Sequence, residues 1–123
     1  MRSHATLSKL VVGLIGALGI VSIAAAADDA KPEMTGKQIA YDRSLGNCLA
    51  CHAMPTQTDA ISAGTIGPPL IAMAARYPDK AKLRAQIWNA MDANPQTVMP
   101  SIGKNKILTE DEINKVTDFI YGL

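Results

Sequence analysis

The stretch Cys48-Leu49-Ala50-Cys51-His52 constrains this chain more than any other. It holds the only two cysteines and one of the two histidines. Two cysteines are too few for the disulfide scaffold that props up many small exported domains. C-x-x-C-H is instead the attachment signature of c-type haem. The spacing has a physical reason. One turn of helix brings both thiols to the same edge of a porphyrin, where each adds to a vinyl group. The histidine that follows then lies beneath the plane and ligates iron. Three competing readings fare worse. A thioredoxin-like redox pair calls for a βαβ pattern, and no segment alternates as a strand does. A zinc site lacks its remaining ligands. A disulfide across C-x-x-C closes a very small loop and stabilises little.

The amino terminus bears on compartment. Arg2 and Lys9 form a short basic region, residues 10–23 are uncharged and mostly apolar, and Ala24-Ala25-Ala26-Ala27 precedes Asp28-Asp29. This is the pattern of a secretory signal peptide over residues 1–27, cleaved after Ala26 or Ala27. The apolar run is short of the roughly 20 residues a spanning helix needs, so no stable membrane anchor is expected. Export is expected to place the mature protein in the periplasm if the cell is Gram-negative, and otherwise outside the cell. Residues 28–34 read as a flexible leader and 35–123 as the folded domain. Removal of the signal also removes His4, leaving His52 as the only histidine.

Composition fits a small domain built around something other than its own side chains. The 123 residues carry 12 Lys and Arg against 11 Asp and Glu, a balance that argues against nucleic-acid binding through a basic face. Lys80, Lys82, Arg84, Lys104 and Lys106 read as solvated surface. Hydrophobic residues make up 48%, which excludes general disorder, yet aromatics are only 4%. A buried macrocycle would supply the missing flat apolar mass.

The rest of the chain reads as three to four short helices joined by long loops. Thr35-Gly36-Lys37-Gln38 is a capping box that opens a helix over 36–45. Residues 54–69 are rich in Pro, Thr, Gly and Ser and form a loop, with a short helical piece over 70–76. Pro78-Asp79 starts a helix over 80–91, with Leu83, Ile87, Ala90 and Met91 as its apolar stripe, and Asn94-Pro95 ends it. Thr109-Glu110-Asp111-Glu112 is a second capping box, whose acids suit the helix dipole. Ile113, Val116, Ile120 and Leu123 follow at helical spacing. Loops this long in a small domain call for a ligand or a function to order them.

With no second histidine after export, methionine is the remaining donor for the other face of the iron. Met34 precedes the first helix, and Met54 sits too close to the attachment site to cross the ring. Met73 and Met91 fall in expected helices, where methionine usually packs a core. Met99, in a loop before the last helix, is the first choice, with Met91 second and Met73 third. In Gly67-Pro68-Pro69-Leu70 the carbonyl of Pro68 is a candidate acceptor for the Nδ1–H of His52, fixing its tautomer. Leu70 would then pack on the ring. Trp88 reads as core, with a haem propionate as the other partner its indole N–H has within reach.

These residues resemble a known family. An amino-terminal helix, C-x-x-C-H, G-P-x-L, a late loop methionine and a carboxy-terminal helix look like class I cytochrome c, an all-α fold. There the first and last helices cross, which would put Gly36 or Ala40 against Phe119. Gly46-Asn47-Cys48-Leu49-Ala50-Cys51-His52, Gly64-Thr65-Ile66-Gly67-Pro68-Pro69-Leu70, Arg76-Tyr77-Pro78, Asn94-Pro95-Gln96-Thr97-Val98-Met99-Pro100 and Ile107-Leu108-Thr109 together resemble the SoxX family, the monohaem subunits of SoxAX. One departure stands out: Met99-Pro100-Ser101-Ile102-Gly103 replaces the family's M-P-P-F-G. The resemblance implies one covalent haem c on Cys48 and Cys51, with His52 and Met99 as axial ligands. It implies a SoxA-like partner that holds the reacting centre, and thiosulfate coupled oxidatively to a cysteine of a SoxYZ-like carrier (the activity of an L-cysteine S-thiosulfotransferase). The two electrons released would pass to a downstream small cytochrome c, with this chain a non-catalytic haem subunit. The other reading is a free-standing periplasmic electron-transfer cytochrome c.

Overall fold

The structure, a computed structural model, describes residues 33–123. The expected signal peptide over 1–27 and nearly all of the leader lie outside the described residues. Four α-helices and two short 3₁₀ turns follow in order: α1 (Gly36–Tyr41), a turn at Cys48–Ala50, α2 (Met73–Arg76), α3 (Lys80–Trp88), a turn at Ala90–Asp92, and α4 (Glu110–Tyr121). There are no strands among the described residues, and none of these helices is long and apolar enough to cross a membrane.

Both capping boxes form. The Thr35 hydroxyl accepts from the Gln38 amide while the Gln38 side chain accepts from the Thr35 amide, and Thr109 and Glu112 do the same for α4. Asp79 caps α3 by accepting from the amide of Ala81 at 2.9 Å. The helix ends depart from expectation. The helix expected over 36–45 stops at Tyr41, because the Asp42 carboxylate accepts from the amide and hydroxyl of Ser44 at 2.7 and 2.6 Å. Such a local turn competes with the next helical hydrogen bonds and wins. The helix expected over 80–91 breaks at Asn89, whose backbone is extended (φ −149°, ψ 88°), and resumes as the 3₁₀ turn. Met91 is thereby 47% exposed and leaves the apolar stripe, whereas Leu83, Ile87 and Ala90 are buried. The helical piece expected over 70–76 shortens to Met73–Arg76, since Ala72 takes a left-handed φ of 52° and its amide donates to the Leu123 carbonyl at 2.7 Å.

α1 crosses α4 closely. A Cβ on Gly36 would lie 2.0 Å from the Lys115 carbonyl oxygen and 3.0 Å from the Phe119 Cβ, so only hydrogen fits there. Ile39 and Ala40 of α1 are buried with Ile113, Val116 and Ile120 of α4. Tyr41 meets Phe119 edge to face at 6.2 Å. α3 is fastened to α4 at the surface by Lys80–Asp118 at 2.7 Å and by Arg84 with Glu110 and Asn114.

The loop after the attachment motif is tied back to α1. Lys37 Nζ lies 2.8 Å from Asp59 Oδ2, and the Tyr41 hydroxyl donates to Asp59 Oδ1 at 3.4 Å. The hydrogen bond from Lys37 holds the Asp59 carboxyl below the ordinary carboxylate range. A carboxyl with a lowered folded pKa stabilises the fold above its unfolded pKa, and that stability is lost as pH falls through the folded value. Thermal melts between pH 7 and pH 3 at low salt should therefore show a shallower acid decline in Asp59→Asn than in the parent. The difference should be small, because the pair is exposed, and should shrink further in high salt. Equal acid slopes at low salt would remove this ion pair as a source of acid sensitivity.

Candidate functional site

The attachment motif is built as a turn. Asn47 enters it in the left-handed region (φ 47°), Cys48–Ala50 form the 3₁₀ turn, and the amides of Cys51 and His52 both donate to the Cys48 carbonyl, at 3.2 and 2.9 Å. The following loop is laced alongside it. The amides of Gly64, Gly67 and Leu70 donate to the carbonyls of Leu49, Cys51 and Ala53 at 2.7, 2.8 and 2.8 Å. This lacing brings Gly67-Pro68 onto His52. The Nδ1 of His52 lies 2.6 Å from the Pro68 carbonyl oxygen. A carbonyl has no hydrogen to give, so Nδ1 is the donor and Nε2 of a neutral ring keeps its lone pair for a metal. Arg76 Nη1 donates to the neighbouring Pro69 carbonyl at 2.8 Å and lies 3.3 Å from the Met73 sulfur.

Cys48, Cys51, His52 and Met99 all line one cavity of about 460 Å³, a volume within the roughly 300–1,000 Å³ typical of cofactor sites. Its wall is mostly aliphatic and is drawn from α3, α4 and the loops, including Leu70, Leu83, Ile87, Ile102, Leu108 and Val116. Pro68 and Leu70 line it too, whereas Met91 and Trp88 do not. The Trp88 ring instead packs over Gly103, with the Arg84 guanidinium 5.7 Å from its centroid. Met73 is a cavity residue with its sulfur already in contact with Arg76. Met54 is buried in the core. The cavity also has two arginines on its lining, Arg43 and Arg76, neither of which the sequence pattern singled out for this site. An arginine two turns beyond a Gly-Pro run carries no chemistry that spacing alone can reveal.

Neither cysteine is in a disulfide. Burial pushes the Cys48 thiol up to about 11. A thiol held protonated at neutral pH is a poor nucleophile for disulfide exchange, so Cys48 lacks the lowered pKa of a redox cysteine. No group of three or more His, Cys, Asp or Glu that could hold a bare metal ion occurs among the described residues. The donor set is two free thiols, an imidazole whose Nδ1 is taken up by the Pro68 carbonyl, and a thioether, all on an apolar cavity. That set fits a flat, apolar, iron-bearing macrocycle attached through sulfur.

Comparison with known proteins agrees with this geometry. The family Cytochrome c matches residues 33–123. The crystal structure of SoxXA from P. pantotrophus is similar, with a TM-score of 0.63 and 29% sequence identity over 70% of this chain and 77% of that one. Comparison with curated protein sequences finds no match. A cytochrome c domain implies covalently bound haem c, and Cys48 and Cys51 fit its C-x-x-C-H motif. The chain belongs to the cytochrome c family, with an all-α class I fold that is SoxX-like.

Proposed function

We propose that the chain is the monohaem electron-transfer subunit of a SoxXA-like complex in the periplasm, reached through a cleaved signal peptide. The observation that carries the reading is the convergence of Cys48, Cys51, His52 and Met99 on one apolar cavity in a chain similar to SoxXA. Cys48 and Cys51 would anchor the group through sulfur, and His52 and Met99 would supply its iron ligands. The Pro68 carbonyl orients the imidazole, and Leu70 packs against the macrocycle. Bound haem supplies a one-electron store. Ligation by His52 and Met99 would leave small molecules no open iron and would favour a relatively high potential, as suits an electron acceptor.

In this reading a SoxA-like partner holds the reacting centre. Thiosulfate joins the thiol of a SoxYZ-like carrier there, one sulfur–sulfur bond forms, and a proton and two electrons leave. This chain would accept the two electrons one at a time and pass each to a downstream small cytochrome c before taking the next. The test is to express the holoprotein in its source cells grown on thiosulfate and purify it by a carboxy-terminal tag. Co-purification with a larger C-x-x-C-H cytochrome is expected, with reduction by thiosulfate only when that partner and the carrier are both present. A monodisperse monomer, reduced equally well without them, would establish the free-standing cytochrome instead.

A further inference from the structure

The segment that carries Met99 is a strap fastened at its two ends. At the near end the Asn94 amide donates to the Ala90 carbonyl at 3.1 Å. Between the ends its hydrogen bonds are local: Gln96 N–H to Asn94 Oδ1, Thr97 N–H to the Asn94 carbonyl, and Met99 N–H to Thr97 Oγ1, each close to 3 Å. Val98 and Pro100, on either side of Met99, are exposed. The far end closes at Ser101, which is 3% exposed. Its hydroxyl lies 2.6 Å from Asn89 Oδ1, and Asn89, itself 5% exposed, has Nδ2 2.6 Å from Asp92 Oδ1.

The direction of this chain is fixed by its last member. A carboxylate only accepts, so the Asn89 amide must turn its NH₂ to Asp92 and its oxygen to Ser101, and the Ser101 hydroxyl must donate. The charge on Asp92 strengthens the amide link, and the polarised amide oxygen is the better acceptor for the hydroxyl. Ser101 and Asn89 are also places where the chain departs from a simpler plan. Ser101 stands where the resembled pattern has proline, and Asn89 is where α3 breaks two residues before its apolar stripe would end. The break turns the Trp88 carbonyl to accept from the amides of Gly103 and Lys104, at 3.1 and 3.2 Å. The same stretch therefore holds residues 101–104 through one side-chain chain and two main-chain bonds.

We propose that Ser101–Asn89–Asp92 is a latch on the Met99 strap, positioning its sulfur and setting how readily it gives way to a competing ligand. A proline at 101 would stiffen the strap but could not tie it to the body, whereas a serine ties it through a bond that can be removed singly. The inference rests on the reading of Met99 as an axial ligand. Breaking the latch leaves this end held by its main-chain bonds alone, so it loosens the strap without touching the cavity wall. It also leaves the buried Asn89 oxygen without its donor, which costs enough to shift a local equilibrium about 5- to 150-fold.

The experiment titrates imidazole into the oxidised holoprotein and follows the visible spectrum, with the midpoint potential measured alongside. Ser101→Ala and Asn89→Ala should each bind imidazole about 5- to 150-fold more tightly than the parent. The double variant should be no tighter than the stronger single one, and Ser101→Thr, which keeps the hydroxyl, should stay near the parent. Thr117→Ala serves as a control, because it removes a different buried hydroxyl, bonded at 2.7 Å to the Ile113 carbonyl within α4, and should leave imidazole affinity within about twofold. If Thr117→Ala tightens imidazole as much as Ser101→Ala does, the effect is general loosening and the latch is overturned. If Met99→Ala opens the iron but Ser101→Ala matches the parent, the latch alone is wrong. If Met99→Ala itself changes nothing, the axial assignment fails first.

Discussion

Met99→Ala is expected to open one face of the iron, so that the oxidised holoprotein binds imidazole or cyanide at concentrations that leave the parent unchanged. Its midpoint potential should also fall, by on the order of 0.1 V or more, against the roughly 0.8 V range over which axial ligands move such centres. A thioether favours reduced iron, and water or hydroxide in its place favours the oxidised form. Position and chemistry both select Met99. It lines the same cavity as the motif that already supplies the histidine, and it sits on a strap rather than in a helix. Met73 also lines the cavity, but its sulfur is 3.3 Å from Arg76 Nη1 and its side chain is almost wholly buried. Met73→Ala should therefore cost about 2–5 kcal/mol in lost packing and leave the iron closed. Potentiometric titration of both variants separates the two. An open iron in Met73→Ala with a closed one in Met99→Ala would move the axial role to Met73.

Particular residues show what sequence could and could not reveal. The capping boxes at Thr35 and Thr109 are local events, satisfied within four residues, and so could be read from the chain directly. Ile113, Val116 and Ile120 were legible because one helical face buries them all. Pro68 as acceptor for His52 was nameable because a proline nitrogen has no hydrogen of its own to satisfy, and the structure places that carbonyl 2.6 Å away. The helix ends were not legible. Asp42 halts α1 by capturing Ser44, and Asn89 breaks α3 because its side chain is committed to Ser101, twelve residues on. The first is a contest between two nearly equal local hydrogen-bond schemes, and the second a tertiary contact that no periodicity encodes. Trp88 failed to reach the cavity for a related reason. Once α3 ends at that residue, its ring is used to cover Gly103.

Gly67→Ala is expected to damage the site more than its one added methyl suggests. A Cβ there would lie 2.3, 2.6 and 2.8 Å from Cε1, Nδ1 and Nε2 of His52, so the methyl would land on the face of the imidazole. The backbone at Gly67 does not have positive φ, so alanine meets no torsional strain and the whole penalty is contact. Retreat is blocked on both sides, since the Gly67 amide is tied to the Cys51 carbonyl and Pro68 follows with its own carbonyl on Nδ1. Either the imidazole tilts off its axis or residues 66–69 lift away, and both lengthen the 2.6 Å bond. Overpacking of this kind costs about 1–3 kcal/mol, which in a domain of this size lowers the melting temperature by roughly 5–20 °C. A stability loss alone would not identify the imidazole as the injured group. Weakening the Nδ1 hydrogen bond makes the histidine a poorer donor, so the midpoint potential should rise, opposite in sign to Met99→Ala. Gly64→Ala supplies the comparison, because its Cβ would strike the Ala50 carbonyl oxygen at 1.9 Å and no ring atom of His52 is among its nearest neighbours. It should destabilise the holoprotein to a similar degree with little change in potential. Equal potentials in Gly67→Ala and the parent, at a lowered melting temperature, would mean that residue 67 supports the loop and leaves the imidazole where it was.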